Sequence, residues 1–279
     1  MGRIALVTGA NQGLGLALVR GLATELGPED VVYLTARDPA KGRAALESLG
    51  TMRAQLAFER LDVTEEQSIA DLADTIRDRH GGLDIVASNA AARITKERSE
   101  AEQVRTFIET NNHGSCRLLK RLMPLLRPGA HYAIIASSFG RLSNLPSHFH
   151  PLFDTDRLSL DDIEASMDAY VEAMEGGSAA KDGWPDWINV PSKIGQVATA
   201  RVAARLTRET RPDDDILINA ACPGLIDTEA SRPWFDDMSK AQSPDDAARA
   251  VVDLLLSPKI PDAPSGELIR FGQVLPWKG

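Results

Sequence analysis

Along the chain, short aliphatic runs alternate with longer stretches whose apolar residues recur at helical spacing. Ile4-Ala5-Leu6-Val7 is a continuous apolar run of the buried-strand type. Leu14, Leu18, Leu22 and Leu26 then recur at every fourth position, which predicts a helix face. The same alternation predicts strands over 31–35, 54–61, 84–87 and 131–136, with helices over 40–49 and 65–79 between them. A long helix is expected from about 101 to 126, stopping near Pro128-Gly129. From about 140 to 190 the alternation breaks, with an acidic helical piece over 160–174. It resumes with a helix over 192–210, a strand over 216–220, a helix over 244–256 and a last strand over 267–271. Repeated βα units of this length imply an α/β fold, a doubly wound parallel sheet with helices on both faces. Residues 1–279 read as one Rossmann-type domain, with a helical insertion at about 140–190 before Lys193 and a substrate loop at about 228–243.

Composition narrows the partners. Hydrophobic residues make up 43% of the 279 and charged residues 25%, with a formal net charge of −9. Nothing concentrates positive charge, so neither a nucleic acid nor an anionic membrane is expected as partner. Cys116 and Cys222 lie far apart without metal-ligand spacing, so two reduced, buried thiols and no metal site are expected. No run has the length of a membrane span, and no apolar signal-peptide core is present, which makes the cytoplasm the expected location.

Chemistry enters at the turn after the first strand. Thr8-Gly9-Ala10-Asn11-Gln12-Gly13-Leu14-Gly15 joins that strand to the first helix. A glycine-rich turn there lets the backbone approach a pyrophosphate, while the helix N-terminus supplies amides and a favourable dipole. The spacing TGxxxGxG resembles the glycine pattern of the short-chain dehydrogenases/reductases, and further segments resemble that family in order. Leu61-Asp62-Val63 looks like the adenine-contacting segment, and Ser88-Asn89-Ala90-Ala91 stands where the family has NNAG. Asn111 matches the structural and catalytic asparagine, and Ser138 the catalytic serine after the fifth strand. Pro223-Gly224-Leu225-Ile226-Asp227-Thr228 matches the PGxxxT segment bordering the nicotinamide. The resemblance thus implies a nicotinamide dinucleotide held by Gly9, Asn11, Gln12, Gly13, Leu14, Gly15, Asp62, Val63, Asn89, Ala90, Lys193, Pro223, Gly224, Ile226 and Thr228.

Ala36 and Arg37 occupy the end of the second strand, where an NAD site carries a carboxylate for the ribose hydroxyls. A guanidinium can instead grip a 2′-phosphate with parallel hydrogen bonds, so NADP(H) is the expected cofactor. The competing reading leaves Arg37 solvated and turns Asp38 to the ribose. TARDPAKGRAAL, Gly183-Trp184-Pro185 and Ser192-Lys193-Ile194-Gly195 resemble the monomeric carbonyl reductases, which implies a monomer.

One departure bears on mechanism. The family's YxxxK motif places a phenol as proton donor, and here the segment reads Asn189-Val190-Pro191-Ser192-Lys193. A carboxamide can donate a hydrogen bond but is no acid near neutral pH. Four readings stay open. Ser138 and Asn189 could polarise and orient a carbonyl while water relayed through the ribose to Lys193 supplies the proton. Tyr170, His148 or His150 of the insertion could act as the acid. The substrate could be an iminium or another electrophile that needs no proton on the accepting atom during hydride transfer. Or the protein could bind nucleotide without redox chemistry, as a sensor or scaffold. Trp184, Trp187, Trp234 and Phe235 fall in segments expected to border the pocket, which favours an apolar or aromatic carbonyl or imine.

Overall fold

The computed structural model describes residues 2–258 and 263–278. Its strands are β1 (Ile4–Val7), β2 (Val31–Ala36), β3 (Gln55–Arg60), β4 (Leu83–Ser88), β5 (Leu126–Ile135), β6 (Leu217–Cys222), β7 (Leu268–Arg270) and β8 (Gln273–Leu275). They form one sheet in the order β3-β2-β1-β4-β5-β6-β7-β8, parallel except for β8. The helices are α1 (Gly13–Glu25), α2 (Pro39–Leu49), α3 (Glu66–His80), α4 (Glu100–Ile108), α5 (Gly114–Leu122), α6 (Leu160–Glu175), α7 (Ala179–Asp182), α8 (Asn189–Thr210) and α9 (Pro244–Leu255). Among the described residues no helix is long and apolar enough to cross a membrane.

Strand pleating explains why β1 is apolar throughout. Ile4 and Leu6 enter the core that also holds residues of α3, α4, α5, α6 and α8. Ala5 and Val7 point the other way, into a core shared with α1, α2 and α9. The chain order reverses between β1 and β4, so the connections leaving these paired strands run to opposite faces of the sheet and open a crevice beyond the strands' C-terminal ends. Turns leaving β1, β2, β3, β4, β5 and β6 all emerge on that side.

Several elements depart from the sequence pattern. The long helix expected over 101–126 is broken by a π-turn at Glu109–His113 and ends at Leu122. Pro128-Gly129, read as a helix stop, lies inside β5, which begins at Leu126 rather than at 131. The β4–β5 register jumps there, from Leu83↔Leu126 to Ile85↔His131, so the proline sits in a bulge where its missing N–H breaks no ladder bond. The last strand is a short hairpin, β7–β8, turning through Phe271 and Gly272, both at positive φ. α8 starts three residues earlier than expected, at Asn189. Pro191 is tolerated in its first turn, where amides have no intrahelical partner.

Candidate active site

The β1–α1 turn is shaped by close contacts. Gly9 adopts φ +61, and a Cβ on Gly15 would lie 2.5 Å from the Gly9 carbonyl and 2.6 Å from Asn89 Nδ2. Only glycine fits that contact without moving backbone. The Thr8 hydroxyl accepts the N–H groups of Asn89 and Ala90, both at 2.9 Å, while Asn89 Nδ2 donates to the carbonyls of Thr8 and Gly9. Asn89 and Ala90 thereby brace the turn from behind. In front, α1 begins at Gln12 with no side-chain cap and no acidic residue in its first turn. Amides of Gly13, Leu14 and Gly15 thus start a helix whose N-terminus carries no anion of its own, and a pyrophosphate fits that donor set. Asn11 and Gln12 flank the same turn.

Arg37, beyond β2, is exposed and makes no ion pair to another described residue. Asp38 is occupied: its carboxylate accepts Ala40 N–H at 2.9 Å and Lys41 N–H at 3.3 Å as the cap of α2. Both bonds fall on Oδ1, so one oxygen of the Asp38 carboxylate is occupied by the cap. After β3, Asp62 accepts both N–H and hydroxyl of Thr64, and the Val63 carbonyl accepts Arg117.

Toward the centre of the sheet, the π-turn presents two buried asparagines inward. Asn111 Oδ1 accepts Ala92 N–H at 2.8 Å. Asn112 exchanges hydrogen bonds with Ser192, receiving its hydroxyl at 2.7 Å and donating to its carbonyl at 2.8 Å, which seats the first turn of α8. Lys193 Nζ donates to the Ile135 carbonyl at the end of β5, at 3.0 Å, and to Gln196 Oε1 at 2.7 Å. Burial draws its ammonium down to about 8. Asn189 precedes Lys193 by one helical turn, so both project from one face of α8. Ser138 opens the turn after β5. Ser138 and Asn189 are both half-buried, and neither side chain hydrogen-bonds to another described residue.

The segment after β6 closes the other side. Gly224 takes φ +85, and the Thr228 methyl is the group nearest to Gly13 on its side-chain side, 3.9 Å from an added Cβ. Ile226 bridges to Gln242; Gln242 also receives Asp227 N–H and donates to the carbonyls of Leu225 and Pro223. The ends of the 228–243 loop are thus joined at its base. Its Trp234 and Phe235 approach Trp187, at ring separations of 6.0 and 6.3 Å, and Trp187 meets Phe139 edge-on at 5.1 Å. Phe139 adjoins Ser138 and Trp187 stands two residues before Asn189, so the aromatic wall is built from neighbours of those two polar side chains.

Other expectations are corrected. Tyr170 is fully buried against Trp184 at 4.8 Å, and burial, with the charge of Glu100 adding, pushes its phenol upward. His148 and His150 each bond through Nε2 to a backbone carbonyl, of Asp182 and Leu145. None of the three bonds to Ser138, Asn189 or Lys193, because the 140–190 segment folds these side chains onto itself. Trp184 likewise packs between Phe149 and Tyr170 in the core rather than bordering the crevice. Two residues escaped the sequence reading, Asn112 and Gln196. For Gln196 the available signal was a polar residue close to Ile194 and Val197 in a helical stretch; Asn112, between Asn111 and His113, gave no such signal.

Comparison with known proteins agrees with this architecture. A family model described as short chain dehydrogenase matches residues 3–145. The chain is 33% identical over 278 residues to carbonyl reductase [NADPH] 1 of Bos taurus, covering 98% of each protein. It is equally 33% identical over 278 residues to the Homo sapiens protein of that name, again covering 98% of each. Among solved structures, salutaridine reductase from Papaver somniferum superposes with a TM-score of 0.80 at 25% identity, over 95% of this chain and 99% of that one. Menthone neomenthol reductase from Mentha piperita shares the fold, with a TM-score of 0.77 at 23% identity over 98% and 100%. A near full-length match at this identity, on a sheet whose strand order, glycine turn and lysine-bearing helix all coincide with the family's plan, places the chain in the short-chain dehydrogenase/reductase family, close to the carbonyl reductases.

Proposed function

We propose that the protein is an NADP(H)-dependent oxidoreductase that reduces a carbonyl or related C=X group at an altered NxxxK site. The observation that carries this reading is the placement of Lys193, whose ammonium is fixed between Ile135 and Gln196 beside the crevice. Ser138 and Asn189, with side chains open to a ligand, belong to the same rim. The names of the carbonyl reductase relatives specify NADPH, and the free guanidinium of Arg37 beside the capping Asp38 supports the 2′-phosphorylated form. When bound, the nicotinamide supplies a hydride. Gly9, Asn11, Gln12, Gly13, Leu14 and Gly15 would hold its pyrophosphate, Arg37 the 2′-phosphate, Asp62 and Val63 the adenine, and Lys193 the ribose. Asn89, Ala90, Pro223, Gly224, Ile226 and Thr228 would frame the nicotinamide side.

The chain's own contribution to the reaction is polarisation and orientation. The Ser138 hydroxyl and Asn189 Nδ2 can each donate a hydrogen bond to an acceptor atom that gains charge. Asn111 acts at one remove, by holding Ala92 in the segment after β4 whose Asn89 and Ala90 brace the phosphate turn. Asn189, in the place of the family's tyrosine, offers no proton, and Tyr170, His148 and His150 are engaged elsewhere. The site therefore suits a substrate whose accepting atom needs no proton during hydride transfer, such as an iminium, including an imine that has taken its proton from solvent beforehand. Phe139, Trp187, Trp234 and Phe235 suit an apolar or aromatic one. Residues 140–190 form an insertion whose α6 covers α4 and α8, consistent with a monomeric, cytoplasmic enzyme of one domain, and 228–243 form the substrate loop.

NADPH oxidation by the wild type and by Asn189→Tyr, measured across ketones, quinones, enones and cyclic imines, tests the reading. Turnover by the wild type, weakened in the variant for its best substrate, is the expected result. Tight NADPH binding with a silent wild type and ketone turnover gained on restoring Tyr would favour a nucleotide-binding protein retired from redox work.

A further inference from the structure

Gln196 lies on α8 at 2% exposure, a carboxamide among Ile194, Val197 and Ala200. With Asn189 and Lys193 it forms an i, i+4, i+7 row along one face of the helix. Both ends of its side chain are used: Oε1 accepts Lys193 Nζ at 2.7 Å, and Nε2 donates to the Asn111 carbonyl at 3.0 Å. The orientation is forced, because an ammonium only donates and a carbonyl only accepts. A carboxamide buried this deeply is costly unless it is bonded. Its bonds continue in both directions. Lys193 passes to Ile135 at the end of β5, and Asn111 passes through Ala92 N–H to the segment where Asn89 and Ala90 hold Thr8 of the phosphate turn.

We infer that Gln196 is the positioning residue of Lys193. It fixes the direction of the ammonium relative to the phosphate turn, so that the N–H left over from Ile135 and Gln196 is presented to the nucleotide sugar. This rests on the reading of Lys193 as the ribose-holding residue. Two of the three ammonium hydrogens are taken by acceptors from different elements, β5 and α8, which leaves the third a single direction. Cys222, at the end of β6, is the titratable side chain that also faces Lys193. Since burial already disfavours the charged form, loss of the Gln196 acceptor lowers the Lys193 titration further, whereas a carboxylate at 196 raises it.

The test uses Gln196→Leu and Gln196→Glu in the full chain, with two readouts. Lys193 is titrated by NMR in isotopically labelled, nucleotide-free protein, its resonance assigned through Lys193→Arg, and NADPH affinity is measured by fluorescence titration. Gln196→Leu is expected to lower the Lys193 midpoint and weaken NADPH about tenfold, the scale of one lost hydrogen bond to a charged group. Gln196→Glu is expected to raise the midpoint. If Gln196→Leu changes thermal stability alone, with midpoint and affinity unmoved, Gln196 is a packing residue and the inference is overturned. Should Gln196→Leu fail to fold, an unmoved midpoint in Gln196→Glu overturns it equally. Shifted midpoints in a protein whose wild type ignores NADPH would uphold the clamp and refute the nucleotide reading instead.

Discussion

Trp187 carries an indole N–H that is buried and has no hydrogen-bond partner among the described residues, while its ring meets Phe139, Trp234 and Phe235. The two facts oppose each other energetically and can be separated by substitution. Truncating a fully buried Trp to Ala costs about 3–5 kcal/mol, but Trp187 is only half-buried. Removing an orphaned donor restores about 1–3 kcal/mol. Trp187→Ala should therefore lose about 1–2 kcal/mol, which for a chain of this size is roughly 2–4 °C in Tm. Trp187→Phe keeps an aromatic face toward Phe139 and deletes the orphan, so its stability should fall within about 1 kcal/mol of the wild type or above it. Thermal unfolding followed by circular dichroism reads both. If Trp187→Phe loses as much as Trp187→Ala, the indole N–H is satisfied in solution and deleting it relieves nothing, which would refute the reasoning.

Tyr170→Phe should be nearly neutral or slightly stabilising and should leave NADPH turnover intact, since the phenol is buried without a partner among the described residues; abolished turnover would restore Tyr170 as the acid. Arg37→Ala should raise the NADPH dissociation constant about 10- to 100-fold, the scale of a charge-assisted pair of hydrogen bonds, and leave NADH unchanged; calorimetric titration showing equal losses for both nucleotides would remove Arg37 from the 2′-phosphate. His113 is raised by the Glu164 carboxylate, 3.7 Å from Nδ1, with Asp168, 3.0 Å from Nε2, adding. Because the folded value exceeds the unfolded one, its stabilisation is complete below about pH 6.5 and fades as pH rises through the folded value. The Tm gap between wild type and His113→Gln should accordingly be widest near pH 6 and narrow toward pH 9; a gap that does not vary with pH would show that the imidazole charge is not what pins α6.

Most of the sheet could be read from the chain because β1, β2, β4 and β6 are largely buried and rich in aliphatic residues, β1 without interruption. What escaped was irregular. The π-turn depends on a single extra residue in a helical pattern that otherwise continues, and the β5 bulge places Pro128-Gly129 where a helix stop would look the same. The site was legible where backbone geometry demands a residue type, as at Gly9 and Gly15, or where the side chain stands on a strand end, as for Ser138. Gln196 was not, because its role depends on linking nearby Lys193 to Asn111, distant in sequence, and only the packing of α8 on the π-turn brings those two together. The insertion misled for a related reason: Tyr170, His148 and Trp184 have the chemistry of a site, but their hydrogen-bond and ring partners belong to the segment itself.

The capping role of Asp38 bears on how this protein could ever change its nucleotide. The carboxylate that a rival, unphosphorylated cofactor would want is tied into α2, and freeing it would give up a helix cap worth about 1 kcal/mol. On the proposed reading, cofactor preference and helix stability rest on two adjacent residues. A carboxylate for an unphosphorylated ribose is therefore more cheaply introduced at position 36 or 37 than recruited from Asp38, which the fold already uses.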